Sequence, residues 1–379
     1  MNIDRRIRKR VKTLAMSLVL TFAVATPQGK ASAQGILPKP QSYAPAKGTF
    51  HTRGRQVRVE NRVGDIARNI YSEPWMAVSK GGARQVMIFD RLSPKSIAGL
   101  TLKDGAEAEA YQLHVSPDTI LIRAASADGF RLAWATVRQL TTKKGVACCD
   151  VLDAPAYKWR SMMLDVSRHF RSIEFLKRQI DAWRDISSTV CICISLMRRM
   201  ANRDKAIPPA HQPRRLASLC HWQEWTDNGG KYVEEGTPGA YGGYYTQDQL
   251  RELVSYAADR GITIVPEIEM PGHSEEVLAA YPELSCSHEP YKDSDLCPGS
   301  VATYDFMENV LLEVMDIFPS EYIHVGGDEA VMKAWDNCLL CQRMMKELHT
   351  DKAGLQAHLI THFGNFLNAT ADALWDGTR

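Results

Sequence analysis

The stretch TQDQLRELVSYAADRGITIVPEIEM, residues 246–270, changes its period halfway along. Thr246 and Gln249 have the spacing of a helix-opening capping box, and Gly261 stands where a helix would stop. From Ile262 the chain continues as a mostly apolar, strand-like run. A helix feeding such a strand is one step of a parallel βα array in which helices cover the sheet. The alternation extends outward on both sides. RSMMLDVS (160–167) and YIHVGG (322–327) read as strands, SIEFLKRQIDAW (172–183) and VATYDFMENVLLEVMDIF (301–318) as helices. This predicts an α/β barrel, in which function collects at the C-terminal tips of the strands.

Polar residues sit around those strands. Arg160 opens the first, and Asp165 with the SRHF segment closes it. PEIEMPGHS closes another, bringing Glu267, Glu269 and His273. SEYIHVGGDEA (320–330) closes a third, where Gly326 and Gly327 precede Asp328 and Glu329. Adjacent side chains on a regular strand face opposite sides, so two neighbouring carboxylates reach one substrate only if the strand ends there. The glycines permit that ending. Two carboxylates at a barrel mouth suggest glycoside hydrolysis, but a conventional retaining pair comes from separate strands with carboxyls about 5 Å apart. Neighbours in sequence suit another division: Glu329 as general acid/base, Asp328 holding a substrate group that itself attacks. Each residue also has a plainer reading. Arg160 could pair with a buried carboxylate, His273 could be structural, and Glu267 and Glu269 could simply hold the mouth together, so these glutamates are left off the catalytic set.

From Gly35 to about Asp153 the pattern differs. Short β-rich runs (QVRVE, QVMIFD, AYQLHVS, TILIRAA) accompany one helix, DGFRLAWATVRQLTTKK, in which Phe130, Leu132, Trp134, Ala135, Val137 and Leu140 form a face to bury on a sheet. This predicts a small α+β domain. Ahead of it, basic RRIRKRVK, apolar LAMSLVLTFAVA and ASA before Gln34 have the three parts of an export signal, with cleavage after Ala33. The apolar run is too short to span a bilayer. A periplasmic or secreted product with no transmembrane segment follows as the expectation. Forty-six basic against 44 acidic residues leave a net charge of +2, with much of the excess in the first dozen positions, which is no nucleic-acid footprint. Among nine cysteines, Cys286 and Cys297 bracket a polar loop and could bridge. Cys338 and Cys341 form a single C-x-x-C with no second pair or histidine nearby in sequence, so no metal is expected.

YIHVGGDEA, KWRSMMLDVSRHF and VPEIEMPGHSEEVLAAYPELSC together resemble glycoside hydrolase family 20, the β-N-acetylhexosaminidases. GILPKPQSYAPAKGTF and the segment ending VRQL are similar to that family's accessory domain. The resemblance implies residues 35–153 as the accessory α+β domain and 155–379 as a (β/α)8 TIM barrel, incomplete in this chain. It implies Glu329 as acid/base, Asp328 as the group orienting a 2-acetamido nucleophile, and two substrate-binding residues, Arg160 as a donor of paired hydrogen bonds to sugar hydroxyls and His273 as support for the acid side of the pocket. Glycans ending in N-acetylhexosamine are the implied partners, with no cofactor.

Residues 184–228 break the pattern and lack the family's second barrel strand, which normally reads close to NRLHLHLTD. Codons for Asp185 through Met197 can be chosen to give YFINRLHLHLTD when read two bases later, and codons from Arg199 onward can give GWRIEIK when read one base later. We therefore expect a frame disruption here, which makes Cys191, Cys193 and Cys220 accidents of translation. Sequencing the gene decides it: codons that cannot yield these motifs in another frame would sink the idea. About fifty residues follow Glu329, fewer than four further βα units of about 30 residues need. The resulting expectation is an impaired β-N-acetylhexosaminidase. The alternatives are a non-catalytic product, either a pseudogene translation or a sugar-binding remnant, and, from another enzyme class, a metal-dependent hydrolase built on the acid pair.

Overall fold

The computed structural model describes residues 35–52, 56–64, 77–79, 83–93, 97, 99–103, 106–167, 169–194, 216–219, 231, 233–234 and 237–375. The export signal, Arg168 and Cys220 lie outside these residues, as does most of the stretch 195–230.

The first half builds one mixed sheet from β1 (Ser42–Phe50), β2 (Gln56–Asn61), β3 (Ala77–Ser79), β4 (Gln85–Arg91), β5 (Tyr111–Val115) and β6 (Thr119–Ala124), followed by helix α1 (Ala127–Leu140), the short β7 (Thr141–Thr142) and β8 (Gly145–Asp153). The order across the sheet is β1-β8-β5-β6-β4-β2-β3. Strands β2, β4 and β6 run parallel, while β5, β8 and β1 are antiparallel to their neighbours. Helix α1 starts where the Ser126 hydroxyl accepts the N–H groups of Asp128 and Gly129, and it buries all six residues of its predicted face. Phe130 and Trp134 pack on Phe89 of β4, with ring centroids 5.9 and 6.4 Å apart.

Four strands of this sheet, β1, β3, β7 and β8, lie outside the β-rich runs of the sequence. Strand β1 contains Pro45 and Gly48, has a register irregularity between Pro45 and Thr49, and is mostly exposed, so it carries little apolar alternation. Its partner β8 becomes a strand through pairing with both β1 and β5. The helix also ends earlier than its sequence run. Thr141 turns to extended backbone, and residues 141–146 form a hairpin.

The second half comprises β9 (Ser161–Asp165), α2 (Ile173–Asp185), β10 (Val190–Ile194), β11 (Leu216–Leu219), β12 (Val233–Glu234), β13 (Ala240–Tyr241), α3 (Gln247–Ala258), β14 (Thr263–Pro266), α4 (Glu275–Ala280), α5 (Val301–Ile317), α6 (Leu339–Glu347) and α7 (Lys352–Trp375). Strands β9, β10 and β14 are parallel neighbours. A parallel bridge from Glu267 to His324 adds residues 322–325 as a fourth stave. Helix α3 has both hydrogen bonds of the capping box, and Gly261 takes φ +70° just beyond it. Both faces of β14 are buried, whereas β9, at the edge of this sheet, leaves Met162 40% and Met163 58% exposed.

The expectation of a missing second stave is corrected here. Val190–Ile194 is hydrogen-bonded between β9 and β14, with Ile192 in register with Met163 and Val265. A backbone ladder asks only for a short run of strand formers, and VCICI supplies one whatever side chains the family uses at that place.

Candidate active site

Four chain segments end at the same mouth. Strand β9 ends at Asp165, and β14 runs on into Glu267 and Glu269. The 322–325 stave delivers Asp328 and Glu329, and the loop after β14 returns His273. Glu267, Glu269, His324, Gly326, Gly327, Asp328 and Glu329 line a cleft of about 650 Å³ with Met163 on its open side.

The backbone explains how two neighbouring carboxylates face one cleft. Gly326, Gly327 and Glu329 have φ of +65°, +104° and +51°, so strand alternation is abandoned immediately before the acids. Gly326 also has a steric reason. A Cβ there would collide with the Glu269 carboxylate, so the buried acid can lie against the backbone only because that side chain is missing. Glu329 itself holds a left-handed conformation that costs a non-glycine residue energy, a feature concentrated at functional sites. The turn is braced from α7, where Gln356 Nε2 donates to the Gly327 carbonyl at 2.6 Å.

Behind the exposed acids stands a buried layer. Glu267 and Glu269 have side chains only 3% and 6% exposed. Glu267 pairs with His324 Nδ1 at 2.6 Å. His273 lies between two acids: Nε2 is 3.2 Å from Glu329 Oε2, and Nδ1 is 3.7 Å from Glu269 Oε1. Burial, reinforced by the negative charge of Asp328, pushes the Glu269 carboxyl above its ordinary range; His273 and the Gly327 N–H act against this. Burial likewise raises Glu267, with His324 opposing and Glu269, Asp328 and Asp165 adding to the rise. The site thus divides its carboxyls into a buried pair that favours retaining protons and an exposed pair at the cleft rim. Donor atoms of Glu269, His273 and Asp328 also lie within 4.8 Å of one another, near enough to share a cation.

Of the four predicted site residues, Asp328, Glu329 and His273 come together, and Arg160 does not. Arg160 precedes β9, at the end of the strand opposite the mouth. Its guanidinium forms a two-pronged pair with Glu109 of the first domain at 2.7 and 3.0 Å, and Nε donates to the Ser187 carbonyl at 2.6 Å. Its donors are spent on the protein, as in the plainer reading, and the sugar-binding role is withdrawn. The signal was available: a residue before a parallel strand lies at its base. Glu269 and His324 were passed over, although Glu267, Glu269 and His324, Gly326 are spaced by two, the period that places residues on one face.

The profile described as "Glycosyl hydrolase family 20, catalytic domain" matches residues 157–184 and 216–378, and that of "Glycosyl hydrolase family 20, domain 2" matches residues 33–154. The gap at 185–215 falls within the stretch where the sequence pattern breaks. A beta-hexosaminidase of Vibrio furnissii is 31% identical across 95% of this chain and 60% of its own length. Another, from Porphyromonas gingivalis, is 34% identical across 71% of this chain and 35% of its own length. The chain therefore spans between about a third and two thirds of these relatives. The crystal structure of a GH20 exo-β-N-acetylglucosaminidase from Vibrio harveyi in complex with N-acetylglucosamine superimposes with a TM-score of 0.70 and 27% identity, covering 90% of this chain and 54% of that one.

Proposed function

The chain belongs to glycosyl hydrolase family 20, and from that premise we propose that it carries the site of a β-N-acetylhexosaminidase acting on terminal, non-reducing β-linked N-acetylhexosamine of glycans. The observation that carries this reading is the pairing of Glu329 with His273 at a strand tip, next to Asp328 in one cleft. The names of the relatives and the N-acetylglucosamine in the Vibrio harveyi complex support the substrate class. The basic, apolar and small-residue opening supports export to the periplasm or beyond.

In this mechanism Glu329 gives its proton to the glycosidic oxygen as the bond from that oxygen to the anomeric carbon breaks. Asp328 accepts the N–H of the sugar's 2-acetamido group and turns its carbonyl oxygen onto the anomeric carbon, where the new bond forms. Glu329, now a carboxylate, takes a proton from water; the water oxygen attacks the anomeric carbon and the acetamide leaves it. His273 steadies Glu329 through both proton transfers. The other two carboxyls are poor nucleophiles, because Glu267 is engaged by His324 and Glu269 is buried against Gly326.

A chromogenic β-N-acetylglucosaminide tests this against the matching glycoside without the acetamide. Turnover of the first alone, lowered about 10²–10⁴-fold in Glu329→Gln, is the expected result. Equal turnover of both glycosides would remove the substrate-assisted mechanism. A second reading, sugar binding without turnover, is favoured by the 78% exposure of the Glu329 side chain and by the open Met163 side of the cleft, since catalytic electrostatics gain strength from excluding water. Calorimetric binding of N-acetylglucosamine with no hydrolysis would select it.

A further inference from the structure

We propose that Cys286, Cys297, Cys338 and Cys341 form a tetrathiolate site for one structural zinc ion. The four sulfurs all lie within 4.8 Å of one another. Three separations are 3.7 Å (Cys286 to Cys341), 3.6 Å (Cys297 to Cys338) and 3.6 Å (Cys297 to Cys341). A tetrahedron with zinc–sulfur bonds of about 2.3 Å has edges of about 3.8 Å. The thiols therefore already stand close to the corners such an ion needs. Cys297 and Cys341 are each near two partners, a pattern suited to a shared centre more than to separate disulfides, whose sulfurs would approach to about 2.05 Å in exclusive pairs. The Cys286–Cys297 bridge that the sequence allowed is not formed, and all four thiols are free.

The surroundings are built for the quartet. Cys338 caps α6 and Cys341 lies in its first turn, the C-x-x-C half of a zinc knuckle. A Cβ on Gly299 would collide with the Cys341 backbone. Trp335, Met345 and Leu355 close an apolar shell around the sulfurs. The expectation of no metal rested on the missing second pair, and tertiary structure supplies it from 41 to 55 residues away. Loading one Zn²⁺ releases up to four thiol protons to solvent and leaves a centre of net charge −2.

Such an ion would fasten both loops that carry the acid and its histidine. Leu296 N–H donates to Pro271 O at 2.9 Å and Ser274 N–H to Ser294 O at 3.0 Å, beside His273. Met332 N–H donates to Asp295 Oδ2 at 2.6 Å, three residues past Glu329, and Trp335 Nε1 donates to Leu296 O at 3.1 Å. These links join the cysteine loop to the cleft without placing any cysteine in it.

The test is elemental analysis of the full chain, purified with zinc present, together with a thiol count and intact mass under denaturing, non-reducing conditions. The expected result is about one zinc per chain, released by a mercurial thiol reagent, and tetrahedral thiolate absorption bands after exchange with Co²⁺. Zinc should fall below about a tenth per chain in Cys338→Ser/Cys341→Ser and stay near one in Cys148→Ser, which alters a free buried thiol outside the quartet. Should the double variant fail to fold, the Co²⁺ spectrum of the unaltered chain still decides. A mass four hydrogens lower with no metal, meaning two disulfides, would overturn the proposal. So would four free thiols that bind neither ion. None of these readings depends on glycosidase activity.

Discussion

His273 Nε2 lies 3.2 Å from Glu329 Oε2, joining two residues 56 positions apart, while its other ring nitrogen faces buried Glu269. The exposed acid is thereby tied to the buried layer through one imidazole. On the proposal that this histidine positions the acid, kcat of His273→Ala on the chromogenic N-acetylglucosaminide should fall on the order of 10–100-fold with KM little changed. A rise in KM at constant kcat would instead place His273 among the sugar contacts.

The buried layer predicts a pH dependence of stability. The folded state raises the Glu269 carboxyl above its ordinary 4.5, so above pH 4.5 the native protein binds more protons than the unfolded chain, and stability falls as pH rises through that interval. Glu269→Gln removes this dependence. Relative to the unaltered chain, the variant's thermal midpoint should be no higher below pH 4.5 and progressively higher as pH increases above it. A gap that closed with rising pH would show that Glu269 is stabilised as a carboxylate.

Gly326 and Gly327 should respond unequally to alanine. Both have positive φ, but only at Gly326 does a new Cβ strike another residue, the Glu269 carboxylate. Denaturant unfolding should show Gly327→Ala losing about 1 kcal/mol and Gly326→Ala about 3 kcal/mol or more. Equal losses would mean that backbone conformation alone sets the requirement.

Arg160 should act on stability. Its side chain is 14% exposed and that of Glu109 is 11% exposed, and removing one partner strands a charge between the two domains. Arg160→Ala should cost about 3 kcal/mol in unfolding free energy. KM for the N-acetylglucosaminide, measured on protein that remains folded, should be unchanged. A selective rise in KM with intact stability would return the residue to the cleft.

Where neighbouring residues decide a feature, it was legible without the fold. The capping box at Thr246 and Gln249, the buried face of α1 and the apolar run of β14 each depend on groups within one or two helical turns or strand steps. The Gly-Gly-Asp-Glu run announced a strand ending because the glycines' backbone freedom is local as well. Tertiary structure alone decided what depends on closing long loops. It made β8 a strand by offering it β1 and β5, seated VCICI as a stave, engaged Arg160 with Glu109, and set His273 between Glu269 and Glu329. It also brought two cysteine pairs, separated by α5, to one point. Each of these contacts gains its energy only after the intervening chain has been ordered by the packing of other segments, so no local pattern records it.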